Sequence, residues 1–275
     1  MRPVIVLVTA LLLSSFSGLA CLASDLDGFT GQKGTLKIAG GTAHIPVMKD
    51  AAQAVMEMNP EIKITIAGGG SGVGIKQVGE GIIDIGNAGR EATTAELETF
   101  GLTMIRWAID GVAVAVNPKN PVHALTSEQL RDIFAGRVTT WKDVGGEDRQ
   151  INLYTRDEAS GTREVFWTKA IKKEVIDTKA NVVVSNGAMK TAIANDPYAI
   201  GYVSVGHIDE TVAPVTLDGI TPSLETVKNG DYKVARGLFS LTKGDPQGLA
   251  KLFLEYLLSP SGQDIVVEKG FISVQ

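Results

Sequence analysis

The chain is constrained above all by a repeated order: a short strand, a glycine-rich or polar turn, then a helical pattern. Thr35–Ala39 alternates as a strand, Gly40-Gly41-Thr42-Ala43 follows, and a helix runs from about Pro46 to Met58. Pro46 suits the first helical turn, where a missing N–H costs nothing. Ile62–Ile66 alternates again, and Gly68-Gly69-Gly70-Ser71-Gly72-Val73-Gly74 opens onto a helix at Ile75–Glu80. A third unit runs from Gly81–Gly86 through Asn87-Ala88-Gly89-Arg90 to a helix over Ala95–Phe100. Strands alternating with helices predict βα units, a largely parallel sheet and the α/β class. The turns fall at the carboxyl ends of the strands, where open α/β sheets bind ligands.

The fourth such turn carries the most chemistry. Ile151–Tyr154 reads as a strand, and Val165–Ile171 has amphipathic helical spacing, so Ser160 is placed as the N-cap with Gly161 and Thr162 in the first turn. A first turn presents unpaired N–H groups and a partial positive charge, which suit an anion. Arg156 adds a guanidinium fork, and Ser160 and Thr162 add hydroxyl donors. Between these units lie an apolar strand within Ile105–Val116 and a helix over Leu125–Phe134, which starts with a capping box at Thr126–Gln129.

The opening residues are a different matter. Arg2, the apolar run from Val4 to Leu13 and the small residues from Ser17 to Ala23 make a secretory signal. The only cysteine, Cys21, offers a lipid-anchor site, and cleavage after Ala23 is the preferred alternative. Cleavage removes Arg2 and no acid, so the mature chain is more acidic than the −5 of the whole sequence. An acidic exported chain without a basic run does not bind nucleic acid. Residues 24–34 are polar and glycine-rich and read as a flexible tether.

Common enzyme patterns fail on spacing. The glycines at 68–74 give neither a dinucleotide fingerprint nor a P-loop, and neither Ser71 nor Ser160 lies in G-x-S-x-G. His44, His123 and His207 are far apart, show no metal spacing and read as structural or solvent-facing. The turns share donors instead: hydroxyls at Thr42, Ser71, Ser160 and Thr162, and cations at Arg90 and Arg156. That is a site that holds an oxyanion without transforming it.

Taken together, Gly69–Lys76, Asp84–Arg90, Arg156–Arg163 and Ala199–Val203 resemble the phosphate-binding proteins of bacterial and archaeal ABC transporters. Leu125–Gly136, Thr140-Trp141 and the ending Leu258–Phe271 are similar to its shorter members. The resemblance implies a two-lobed periplasmic-binding-protein type II fold with a hinge. Its lobes would be 35–112 plus 217–275, and 113–216, crossing near Asp110-Gly111 and Ala213-Pro214. It implies phosphate held by Thr42, Ala43 (through its N–H), Ser71, Arg156, Ser160, Gly161 and Thr162, with Arg90 at the third turn and Glu158 orienting the arginine. Gly41 and Ala43 replace two serines usual in the family, and Gly89 replaces a third. Arg90 stands where longer members carry an aspartate that accepts a phosphate proton, which leaves Glu158 or a backbone carbonyl to supply an acceptor. The implied partners are inorganic phosphate and a membrane permease, for a monomer without cofactors in the periplasm or at the cell surface. The alternatives are another oxyanion (sulfate, molybdate or arsenate), a secreted phosphate-ester hydrolase, or a sensory or adhesive role.

Overall fold

A computed structural model describes residues 25–275, so the signal segment and Cys21 lie outside the described residues. The strands are β1 (Gly34–Gly40), β2 (Ile62–Gly69), β3 (Ile85–Ala88), β4 (Leu102–Val116), β5 (Ala124–Leu125), β6 (Asn152–Arg156), β7 (Asn181–Val183), β8 (Ala199–Ser204), β9 (Ala213–Pro214), β10 (Thr216–Leu217) and β11 (Ala235–Lys243). Eight of them form one path, β2-β1-β3-β11-β4-β8-β6-β7, with β9 also paired to β4.

The predicted βα units are present, and helices Ile45–Met58, Ser71–Gly79, Gly161–Val165 and Asn186–Asn195 each follow a strand. The sheet is mixed rather than largely parallel. β11 runs antiparallel to both β3 and β4, and β4 runs antiparallel to β8. The flanking pairs β1–β2, β1–β3, β6–β8 and β6–β7 are parallel.

The two largest of four hydrophobic clusters mark the two lobes. The first gathers Leu36, Ile38, Val47, Met48, Trp107, Leu238, Phe253 and Leu257 around β1, β11 and the last helices. The second gathers Val112, Val114, Leu130, Phe134, Phe166 and Tyr202, with Phe166 stacked on Tyr202 at 4.1 Å. β4 belongs to both: Trp107 and Ala108 lie in the first core, and Val112, Val114 and Val116 in the second. The strand carries an Asp110-Gly111 pair at the junction, yet the ladder continues across it, with β11 paired up to Gly111 and β8 paired from Val112.

Two sequence expectations need correction here. The return to the first lobe is not at Ala213-Pro214, because Val215, Leu217, Val227, Tyr232 and Val234 all pack in the second core. Tyr232 fixes this segment by donating its hydroxyl to the Val112 carbonyl at 2.8 Å. β11 is the next element to pack in the first core, through Leu238. Nor are residues 25–34 a free tether: Phe29 is buried edge-on against Tyr256, and Asn59 Nδ2 donates to the Phe29 and Gln32 carbonyls. One aromatic residue in a polar stretch was enough to dock it.

Candidate anion site

The amino ends of four helices meet between the lobes. Thr42 to His44 precede helix Ile45–Met58, and Ser71 begins Ser71–Gly79. Across the cleft, Ser160 caps Gly161–Val165 by accepting from Arg163 N, and Ser185 caps Asn186–Asn195. They enclose a cavity lined by Thr42, Ala43, Ser71, Arg156, Ser160, Gly161 and Thr162, all expected from the sequence, and also by His44, Gly89 and Arg236.

The four hydroxyls share one arrangement. Ser71 Oγ accepts from Gly89 N at 2.9 Å, and Thr42 Oγ1 accepts from Asn186 N and Nδ2 at 3.2 and 3.1 Å. Thr162 Oγ1 accepts from Arg236 Nη1 at 3.0 Å, and Ser160 Oγ accepts from Arg163 N at 3.2 Å. Each oxygen has a lone pair engaged by a protein N–H, which leaves its own proton to be donated. Arg156 is buried and spends one nitrogen on the Val184 carbonyl at 3.1 Å, while Nε and Nη1 have no partner among the described residues. Burial pushes its pKa down, against the pull of Tyr202 and Asp157. A guanidinium held this way, among four free hydroxyl protons, is complementary to an oxyanion.

Arg236 is the residue that sequence reasoning missed. Its Nε and Nη2 donate to Asp110 Oδ2 at 2.9 and 2.7 Å, and Nη1 reaches Thr162 and the Gly89 carbonyl at the cavity wall. Asp110 faces Arg236 across the β4–β11 ladder, and its other oxygen accepts from Ser204 Oγ at 2.8 Å. Burial drives the Asp110 carboxyl pKa up, opposed by the Arg236 guanidinium and the Ser204 hydroxyl. A Cβ at position 89 would fall 2.7 Å from Arg236 Nη1, so Gly89 makes room for this arginine where the family resemblance predicts serine.

Two expected site residues lie elsewhere. Arg90 gives Nη1 and Nη2 to Glu96 at 2.8 Å each and Nε to Glu164 at 3.0 Å, so its guanidinium is spent outside the cavity. The Glu96 carboxyl is held down to about 2 by Arg90. Because Glu164 belongs to the opposite lobe, Arg90 ties the lobes together at the rim. Glu158 is exposed and has no hydrogen-bond or ion-pair partner among the described residues, so it neither orients Arg156 nor accepts a ligand proton. Asp157, one residue earlier, is the acid whose charge Arg156 feels.

The lobes are in contact. Gly72 N donates to the Ala159 carbonyl at 3.0 Å, and Asn186 reaches across to Thr42. Gly70, at φ 90°, passes so close that a Cβ would lie 2.7 Å from the Ala159 oxygen. A Cβ on Gly161 would lie 2.2 Å from Ser71 Oγ and 3.0 Å from the Gly89 carbonyl carbon. Gly161→Ala is therefore expected to weaken anion binding about tenfold to hundredfold, matching an overpacking cost of about 1–3 kcal/mol. Small-angle scattering in saturating ligand should show a wider molecule than the wild type, with the melting temperature of the ligand-free protein unchanged.

Residues 28–261 match the family described as the PBP superfamily domain. The chain is 35% identical to the phosphate-binding protein PstS of Bacillus subtilis, over 98% of this chain and 94% of that one. A phosphate ABC transporter substrate-binding protein from Clostridium perfringens, solved with bound phosphate, superposes with a TM-score of 0.83 at 34% identity, covering 88% of this chain and all of the other. An ABC-type phosphate transport receptor from Vibrio cholerae gives a TM-score of 0.69 at 32% identity, covering 87% of this chain and 100% of that chain. With a family match over residues 28–261 and a relative 35% identical over nearly the whole length, the chain belongs to the PstS phosphate-binding proteins within the PBP superfamily.

Proposed function

We propose that this protein captures inorganic phosphate between its lobes outside the cytoplasm and delivers it to an ABC permease. The observation that carries this reading is the set of four hydroxyls whose lone pairs are already engaged, arranged around the two unpartnered nitrogens of Arg156. Such a lining supplies many donors to one small, multiply charged oxyanion in a site shielded from water. The phosphate bound in the Clostridium perfringens relative supports phosphate as that anion. Holding rather than turnover fits the same geometry. Among the described residues, none of the four hydroxyls is hydrogen-bonded to a histidine or a carboxylate that could take its proton.

The lobes on this reading are residues 25–110 plus 235–275, and 111–234, with the hinge in β4 and at the start of β11. Loading would draw the lobes together and present a closed rim to the permease. Export by the amino-terminal signal places the protein in the periplasm or at the cell surface. Among the described residues no helix is long and apolar enough to cross a membrane.

Calorimetry on ligand-stripped protein tests the assignment. Phosphate is expected to bind with a Kd of about a micromolar or tighter. Binding of sulfate with equal strength would move the protein to general oxyanion uptake. Silence toward both would sink the reading.

A further inference from the structure

The cavity walls are donors nearly throughout, and donors alone hold a fully ionised tetrahedral anion as well as a protonated one. One side chain breaks the pattern. His44 is fully buried and lines the cavity, and its Nδ1 has no hydrogen-bond partner among the described residues.

The tautomer follows from its other nitrogen. Nε2 lies 3.2 Å from both the Ala88 and the Phe239 carbonyl oxygens. A bare lone pair there would face two more lone pairs, so Nε2 carries the proton. Nδ1 of the neutral ring is then an acceptor. Burial first, and then the charge of Arg236, hold the His44 pKa down to about 3 against the Ala88, Phe239 and Gly41 carbonyls. The ring therefore stays neutral at physiological pH. Trp107 packs edge-on at 5.4 Å and fixes the ring plane. A Cβ on Gly41 would sit 2.6 Å from both Nδ1 and Cε1, so any larger residue at that position would press on this edge of the ring.

Resting on the phosphate reading above, we propose that His44 Nδ1 accepts the hydroxyl proton of bound hydrogen phosphate and is the group that rejects sulfate. Sulfate brings no proton and would set an oxygen lone pair against the nitrogen lone pair. A site built to hydrogen-bond a substrate hydroxyl discriminates strongly against an analogue lacking it. Among the described residues no carboxylate lines the cavity: Glu158 is exposed, and Asp110 is committed to Arg236 and Ser204.

The test titrates ligand-stripped wild type, His44→Val and His44→Gln with phosphate, arsenate and sulfate. The wild type should bind phosphate and arsenate, with sulfate about a hundredfold weaker or more. In His44→Val both protonated anions should weaken about tenfold to hundredfold while sulfate gains, so that the preference falls below about tenfold. A variant that binds phosphate with the preference unchanged would overturn the role of His44 and leave the phosphate assignment standing. A wild type that binds no phosphate removes both. Nitrogen-15 NMR of the wild type gives an answer even if the variants unfold. The His44 Nδ1 signal should be that of an unprotonated nitrogen and should shift on adding phosphate but not sulfate. An Nδ1 found protonated, or unmoved by phosphate, overturns the proposal.

Discussion

Arg156→Ala is expected to abolish tight phosphate binding and leave the ligand-free protein at least as stable as the wild type. The side chain offers Nε and Nη1 to the cavity and, among the described residues, holds one protein acceptor, the Val184 carbonyl. Each hydrogen bond from a charged donor contributes about 1.5–3 kcal/mol, so losing two weakens binding by roughly two to four orders of magnitude. Stability should move the other way. A buried guanidinium without a carboxylate partner costs solvation free energy that only the anion restores. Calorimetry gives the first quantity, and thermal melting in phosphate-free buffer gives the second. A melting temperature that drops while binding survives would mean that Arg156 holds the fold and not the ligand.

Asp110→Ala is expected to be the most destabilising single change in the cleft. It strips the Arg236 guanidinium of both its short contacts inside a junction that water does not reach. Breaking a buried pair from one side costs about 3–5 kcal/mol, a large share of a typical folding free energy. Urea denaturation should show that loss, and the double variant Asp110→Ala with Arg236→Met should regain most of it, because no lone charge remains. Saturating phosphate should also restore part of the loss in the single variant, since Arg236 Nη1 reaches the cavity wall and an anion there supplies counter-charge. A double variant as weak as the single one would contradict this account of the pair.

The sequence was most legible where local rules decide the structure. Ser160 caps its helix as its spacing required, and the capping box from Thr126 to Gln129 forms in both directions. The glycine-rich turn before Ser71 delivers that hydroxyl to the cleft for the same reason. Arg236 escaped because it reads as a lone charge in an apolar strand, 126 residues from its partner. The available signal was the matching oddity of Asp110, a carboxylate in an equally apolar strand, since two such residues are cheapest to bury together. Arg90 misled through proximity. It follows a ligand-binding turn, but Glu96, placed by the Thr93 capping box, lies within its reach and captures it. The lobe boundary depended on Tyr232 and Val234, which belong to no regular element and show no periodicity to read.

The place of β11 in the sheet affects how the chain matures. Although it is the last strand in sequence, it lies between β3 and β4, hydrogen-bonded to both. Until Ala235–Lys243 arrives, the two edges it joins have no neighbour, and the first lobe cannot complete its sheet. A nascent chain therefore stays incompletely folded through most of its synthesis, held back by contacts of long sequence separation. On the export route proposed above, in which the chain crosses a membrane before it folds, this strand order acts as a built-in delay.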